Sequence, residues 1–263
     1  MAKPDKTLAI VMRRSDFRES SRLVTLMTRK YGMRGFLAKG AHRPGSPFLG
    51  AIDLLHVVEA SVHVREGRGL QNLYSARLIL GNRPFRHDRK RRLLAYALAE
   101  TMRIAMPEGR SDPRLFDLFQ GGLQLLARAE SARLGTIHVG LCLKILDHLG
   151  LLPPLFACPV TGEAFPSRGQ IGFDPVQGGF VGIAQTRRRV SAELPPLAEH
   201  LRPLTGRELG VADVPAGLLA RLCPLVNELL VHHLDFEPRI QLPARLFVEP
   251  ALAPGKSQPR IRP

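Results

Sequence analysis

Apolar and β-branched residues in the first 80 positions occur in short runs, each bounded by polar or glycine-containing turns. The runs occupy residues 7–12, 23–28, 34–39, 54–64 and 70–76. Runs of this length and composition predict β-strands, and residues 13–16 and 66–69 predict turns between them. Five short strands without helical periodicity favour a small closed barrel, of which the OB-type barrel is the common example.

The pattern changes from strand-like to helical after residues 81–87, where Gly81, Asn82 and Pro84 cluster. Apolar residues then recur at helical spacing over residues 93–106, from residue 113 to about 126, over about 131–150 and over about 216–234. Asp112 followed by Pro113 predicts the start of the second of these helices. The glycine pair at 121–122 interrupts it, which indicates close packing against a neighbour.

Residues 151–189 contain many prolines and glycines, so they predict loops and short strands inserted between helices. The sequence therefore predicts an α+β chain in three parts. Residues 1–80 form an OB-type barrel, residues 81–250 form a helical domain with this insertion, and residues 251–263 form a disordered basic tail.

Positive charge is concentrated in the barrel and the start of the helical domain. The chain has a formal charge of +15, and residues 1–92 hold 20 Lys and Arg against 7 Asp and Glu. Such a concentration attracts phosphate backbones. The alternatives are a solvated basic surface or a patch for anionic lipid, and we favour nucleic acid.

The stretch of residues 32–46 is a basic part of the barrel, and it contains no acidic residue. Arg34, Lys39 and Arg43 are the first candidates for phosphate contacts, and the glycines around them allow close approach of the backbone to a phosphate chain. The other candidates lie at strand ends and are Arg13, Arg14, Arg29 and Lys30, together with Tyr31 as a base-stacking aromatic. Each charged residue has the alternative of being a solvated surface group.

Other functional classes find little support in the sequence. It has no secretory signal and no apolar run of membrane-spanning length, and its three widely spaced cysteines argue against a disulfide framework, so we expect a cytoplasmic protein without a membrane partner. It has no phosphate-binding loop of the Walker type. His232 and His233 are adjacent and project to different sides of a helix, which disfavours a shared metal. We expect a protein that is not an enzyme.

Short motifs in a fixed order resemble the bacterial recombination mediator RecO family. The motifs are Arg18-Glu19-Ser20-Ser21-Arg22-Leu23, Thr28-Arg29-Lys30-Tyr31-Gly32, Ala38-Lys39-Gly40-Ala41-His42-Arg43-Pro44-Gly45-Ser46, Leu149-Gly150-Leu151-Leu152-Pro153 followed by Cys158, the pair Gly178-Gly179, and Leu230-Val231-His232-His233-Leu234. Each motif is weak alone, and their order and spacing are specific.

The resemblance implies an OB domain followed by a helical domain with a zinc-finger-like insertion. It implies binding of single- and double-stranded DNA, strand annealing, and loading of recombinase during repair. It also implies the partners RecR, RecF, RecA and the C-terminal tail of single-strand binding protein, and a place near the nucleoid.

The chain departs from the family pattern at the zinc motif. Many members carry two C-x-x-C pairs in the insertion, whereas the insertion of this chain keeps Cys158 alone, and residues 180–183, directly after Gly179, contain no cysteine. One thiolate cannot hold a tetrahedral structural zinc, so we expect no metal cofactor. Two other functions stay open: an RNA-binding or ribosome-associated OB-fold factor and, less favoured, a metal-dependent nuclease.

Overall fold

The first part of the chain is a closed five-stranded barrel, as predicted. The computed structural model describes residues 4–240, 242–243 and 245–248. The strands are β1 (Asp5–Phe17), β2 (Ser21–Thr28), β3 (Gly32–Ala38), β4 (Val57–His63) and β5 (Leu70–Leu80), in the order β1-β2-β3-β5-β4. β4 closes the barrel by pairing with β1, and β3 pairs with β5 in parallel. This arrangement confirms the predicted α+β class with an OB-type barrel.

The prediction of a turn at residues 13–16 is wrong, because β1 continues through them. Arg14 pairs with Val24 and Asp16 pairs with Arg22 on the antiparallel neighbour. A bulge at Met12 shifts the register, and the turn comes later, at residues 18–20. Polar residues at the open end of a strand resemble a turn in sequence, since no apolar alternation marks them.

Two apolar clusters hold the molecule together. The interior of the barrel is filled by side chains that alternate inward along the strands, with Phe36 and Phe48 as its large rings. The second cluster fills the helical domain and extends onto the outer face of the barrel through Ile10, Met27 and Met33. Part of the outer barrel face is therefore covered by the helices.

The helical domain is built around one helix that is buried on all sides. Its helices are α1 (Arg83–His87), α2 (Arg89–Ala105), α3 (Pro113–Arg128), α4 (Leu134–His148), α5 (Leu194–Leu201), α6 (Gly206–Val211), α7 (Ala216–Leu234) and α8 (Arg245–Val248). α4 packs against α2, α3, α5, α6 and α7, and a helix that is apolar around its whole circumference belongs in such a position. The predicted helix at 131–150 begins as a 3-10 turn, Ser131–Arg133.

Local signals fixed several helix boundaries. The Asp112 carboxylate accepts hydrogen bonds from the backbone N–H groups of Arg114 and Leu115, both at 3.0 Å, and Pro113 opens α3 as predicted. α7 covers the predicted range. Within the described residues, no helix is both long enough and apolar enough to cross a membrane. The predicted disordered tail at 251–263 lies outside the described residues.

The insertion contains short strands, as predicted. They are β6 (Gln170–Asp174), β7 (Gly179–Val181) and β8 (Arg189–Ser191), in the order β7-β6-β8. Phe173 and Phe180 meet edge to face with ring centroids 5.5 Å apart, and both belong to the core of the helical domain. Aromatic packing therefore joins this small sheet to the helices.

Candidate nucleic-acid interface

The turn between β2 and β3 docks on α3 and on the loop between α2 and α3. The guanidinium of Arg29 donates to both carboxylate oxygens of Asp117, at 2.8 and 2.9 Å. The Gly109 N–H donates to the Met33 carbonyl at 3.0 Å. Arg34 donates to the carbonyls of Tyr31, at 3.1 Å, and Gly109, at 3.4 Å. Arg29 and Arg34 therefore join the barrel to the helical domain.

Gly32, the first residue of the basic stretch, also belongs to this junction. Its φ is +67°, and a Cβ built on it would lie 2.0 Å from the Arg110 carbonyl oxygen. No side chain fits there, because real Cβ atoms do not approach a carbonyl so closely. Gly32 allows the barrel backbone to approach the backbone at Arg110. The sequence pattern had predicted that the glycines of this stretch allow approach to phosphate instead.

Three more of the predicted residues have carboxylate partners. Lys30 and the Tyr31 hydroxyl both donate to Asp5, at 2.9 and 2.6 Å. The hydrogen bond from Tyr31, followed by that from Lys30, lowers the pKa of Asp5. The bond between Tyr31 and Asp5 also raises the pKa of Tyr31. Arg14 lies 3.1 Å from Asp53. Tyr31 is thus tied to β1 and only partly exposed.

The remaining outer face of β1, β2 and β3 is open. Its outward positions are Arg13, Ser15 and Phe17 on β1, Ser21, Leu23 and Thr25 on β2, and Gly35 and Leu37 on β3. They are outward because their neighbours in sequence, such as Val24 and Phe36, fill the barrel interior. The side chains in the middle of this face are small, so they form a shallow path with Arg13 at one side.

A cleft of about 340 Å³ lies at the end of this face where the β1–β2 turn meets the loop after β3. Phe17 and Leu37 contribute its apolar surface, and Arg18, Lys39 and Arg43 contribute its basic surface. Among the described residues, no carboxylate lies within 4.0 Å of the charged groups of these three cations or of Arg13. The cleft combines unpaired positive charge with an apolar surface.

Internal hydrogen bonds fix the walls of the cleft. Asp16 accepts from Arg22 at 2.9 Å and lies 3.0 Å from the His42 Nε2. The His42 N–H donates to the Ser20 carbonyl at 3.1 Å, which ties the loop after β3 to the turn between β1 and β2. The hydrogen bond from Arg22 lowers the pKa of Asp16, so this carboxylate stays charged at neutral pH.

The eight predicted site residues thus fall into two groups. Arg13, Lys39 and Arg43 have no carboxylate partner in the described chain, whereas the other five have internal partners. Four of those five, Arg29, Lys30, Tyr31 and Arg34, lie at the β2–β3 end of the barrel, about 23 Å from the cleft along the seven residues of β3 at 3.3 Å per residue, and Arg14 lies beside Arg13 on β1. Sequence reasoning missed Phe17 and Arg18 in the cleft; the alternation of Arg13, Ser15 and Phe17 was the signal, and the predicted turn at 13–16 concealed it.

Cys158, the remnant of the zinc motif, is buried and bound by backbone groups. Its sulfur accepts from the Gly182 N–H at 3.2 Å. Burial acts to raise the pKa of this thiol, but hydrogen bonds from Gly182, Thr161 and Val160 lower it to about 7. Across the described residues no three His, Cys, Asp or Glu side chains lie close enough to share a metal ion. The residues present do not fit the zinc of the family pattern.

Comparison with known proteins identifies the family. The model described as "Recombination protein O N terminal" matches residues 1–81, and "Recombination protein O C terminal" matches residues 86–239. DNA repair protein RecO of Myxococcus xanthus is 32% identical over 231 residues, which cover 86% of this chain and 91% of that protein.

Two further relatives carry the same name. The Anaeromyxobacter dehalogenans protein is 31% identical over 253 residues, 93% of this chain and 95% of that protein. The Exiguobacterium sibiricum protein is 37% identical over 161 residues, 60% of this chain and 62% of that protein. Because the two family models together match most of its length, the chain belongs to the recombination protein O (RecO) family.

Proposed function

We propose that the chain is a DNA-binding protein of DNA repair and recombination that holds strands rather than cleaving or modifying them. The observation that carries this proposal is the open basic face, where Arg13, Arg18, Lys39 and Arg43 have no carboxylate within 4.0 Å in the described part of the chain. Cations without a carboxylate partner are free to replace the counterions of a phosphate backbone. The relatives named DNA repair protein RecO support the same function.

The proposed action is binding of single- and double-stranded DNA, annealing of complementary strands, and help in loading recombinase onto strands coated by single-strand binding protein. Phosphate contacts carry no sequence information, so such a face accepts any strand. Neutralised phosphates also repel a second strand less, which favours annealing.

Lys39, Arg43 and Arg13 make phosphate contacts in this proposal. Arg29 and Arg34 instead hold the barrel against the helical domain, and Arg14, Lys30 and Tyr31 stabilise the barrel through Asp53 and Asp5.

The partners in this proposal are RecR and the acidic C-terminal tail of single-strand binding protein, with RecA and RecF as indirect partners. A groove of about 600 Å³ between β8 and α7 supports binding of the tail. Its apolar surface includes Val190, Leu194 and Leu225. Its basic surface is Arg189, together with Arg188 and Arg221, which face the carboxylates of Glu228 and Glu193. Titration of a labelled acidic, aromatic-ended peptide tests this part.

The decisive experiment removes two proposed phosphate contacts and measures the salt dependence of binding. We expect Lys39→Ala with Arg43→Ala to weaken binding of labelled single-stranded DNA. The slope of log K against log salt should become shallower by about 1.4, at about 0.7 per lost contact. Arg29→Ala with Lys30→Ala removes the same charge at the other end of the barrel and should change the slope much less.

The outcomes separate the alternatives. An unchanged slope for the folded Lys39 and Arg43 double variant would remove the cleft from the DNA path. Equal or tighter binding of RNA of the same length would favour the RNA-binding alternative. Strand cleavage with Mg²⁺ that purifies with the chain would overturn the non-enzymatic proposal, and one zinc per chain would overturn the expectation of no metal.

A further inference from the structure

We propose that the cleft between the β1–β2 turn and the loop after β3 holds one unstacked nucleobase against the ring of Phe17. This inference rests on the proposed function, and it adds a ligand group and a reason to prefer single strands. Phe17 ends β1 opposite Ser21 and faces outward, and it lines the cleft with Leu37. The ring is partly exposed and lies outside the buried core of the barrel.

The surfaces of the cleft match the two chemical parts of a nucleotide. A base has two apolar faces that stack on aromatic side chains, and the Phe17 ring with Leu37 offers an apolar floor. The phosphates on either side of that base require cations, and Lys39 and Arg43 line the same cleft. A merely structural phenylalanine would not need three unpaired cations around it.

Arg18 is positioned to cover the second face of the base. Its guanidinium carbon lies 5.3 Å from the centroid of the Phe17 ring. A base sandwiched between the two groups needs about 7 Å, twice the spacing of about 3.4 Å along a strand. Arg18 is exposed, so its side chain is free to move outward by about 2 Å and stack on the inserted base.

The backbone around the cleft is held in place before any ligand arrives. Arg18 adopts the left-handed conformation with φ of 55°, which is costly for a residue with a side chain. The hydrogen bond from His42 to Ser20 and the contacts of Asp16 with Arg22 and His42 keep this turn against the loop that carries Arg43. A preformed cleft loses little freedom on binding.

A base inside a duplex is stacked on both faces and paired, so it cannot enter this cleft without the cost of unstacking. The cleft therefore favours single strands over duplex DNA, whereas phosphate contacts alone would not. A strand end, a gap or a strand released from a coating protein supplies such a base.

The test uses the full chain and single-stranded DNA that contains 2-aminopurine, a base whose fluorescence reports stacking. We expect the wild-type chain to change this fluorescence on binding. Phe17→Leu keeps an apolar floor but removes the aromatic ring, so it should lose most of that change and weaken single-strand binding about tenfold. Its duplex affinity should stay within about twofold of wild type.

Two matched variants complete the design. Phe17→Tyr keeps the ring and should restore the fluorescence change, which also separates the ring's role from any folding defect of Phe17→Leu. Tyr74→Leu removes an aromatic ring that is 41% exposed on β5, outside the cleft, and should leave the signal unchanged.

Equal fluorescence change and equal affinity in folded Phe17→Leu would overturn the base-binding inference, and so would an equal loss of duplex binding. If the wild-type chain binds DNA with the expected dependence on Lys39 and Arg43, that failure leaves the proposed function intact. If the wild-type chain binds no single-stranded DNA, the proposed function itself fails and this inference fails with it.

Discussion

At the scale of single residues, His138 gives the helical domain a pH-dependent stability. It is buried in α4, its Nδ1 has no hydrogen-bond partner among the described residues, and its Nε2 lies 3.6 Å from the Cys142 sulfur. Burial lowers the pKa of His138 from 6.5 to about 4. The unfolded chain therefore takes up a proton more readily than the folded chain, and stability falls as the pH drops below 6.5.

The resulting prediction compares unfolding at two pH values. Between pH 7.5 and pH 4.5 we expect His138 to reduce the free energy of unfolding by about 2.5 kcal/mol, at 1.36 kcal/mol for each pKa unit. Urea unfolding of the wild type and of His138→Leu measures this as the difference between their pH dependences, which cancels the effect of the other titrating groups. Parallel pH dependences would contradict a neutral buried His138.

Individual charges show what a sequence leaves undecided at this scale. Arg29 directly follows one predicted strand and Lys39 ends the next, so the two look equivalent as candidates for phosphate contacts. Asp117, which pairs with Arg29, is 88 residues away in the chain. Lys39 has no such partner in the described chain. The sequence thus predicted the candidate site as a set of basic residues. Which of them pair with carboxylates and which stay free for phosphate depends on tertiary contacts.

At the scale of elements, the adjacent glycines of α3 should respond in opposite directions to the same substitution. A Cβ on Gly121 would meet no atom within 4 Å, so Gly121→Ala should stabilise the helix by up to about 1 kcal/mol. A Cβ on Gly122 would lie 2.7 Å from a terminal carbon of Leu141 in α4. Gly122→Ala should destabilise the chain by about 1–2 kcal/mol, because overpacking exceeds the gain in helix propensity.

Thermal or urea unfolding of the two variants measures the difference directly, and each serves as the control for the other. Stabilisation by both substitutions would show that Leu141 moves aside at little cost, and that the packing between α3 and α4 tolerates the added carbon. Destabilisation by Gly121→Ala would contradict its open surroundings.

Elements were more predictable than the site. The five barrel strands, the cap at Asp112 and the range of α7 follow from local patterns, because short apolar runs, an Asp-Pro pair and a continuous helical period are local signals. The length of β1 was not predictable in the same way. Its last residues are held by pairing with β2 rather than by burial, so the apolar pattern ends before the strand does.

At the scale of the whole molecule, the barrel and the helical domain share one core. Ile10, Met27 and Met33 on the outer barrel face belong to the same apolar cluster as α2, α3 and α4. Separating the two parts would expose this surface to water, at about 25 cal/mol for each Å² of apolar area. We therefore expect the wild-type chain to unfold in one cooperative transition, with equal calorimetric and van't Hoff enthalpies.

Gly32→Ala tests the shared core at its tightest point. Its added Cβ would lie 2.0 Å from the backbone oxygen of Arg110, so the junction must open to admit it. Gly45→Ala is the matched control, because Gly45 has a similar φ of +73° but no atom within 4 Å of the added carbon. The control should cost only the backbone strain of about 1–2 kcal/mol.

We expect Gly32→Ala to cost at least about 2 kcal/mol more than Gly45→Ala, and to broaden or split the calorimetric transition as the barrel loses its contact with the helices. Equal costs would show that the junction is adaptable, and two transitions in the wild type would show that the core is not shared. Because the junction lies about 23 Å from the cleft, at 3.3 Å per residue along β3, Gly32→Ala should leave the local DNA contacts of the barrel in place. If the junction also positions the helical domain relative to a bound strand, Gly32→Ala should slow annealing of complementary strands while its affinity for single-stranded DNA stays unchanged.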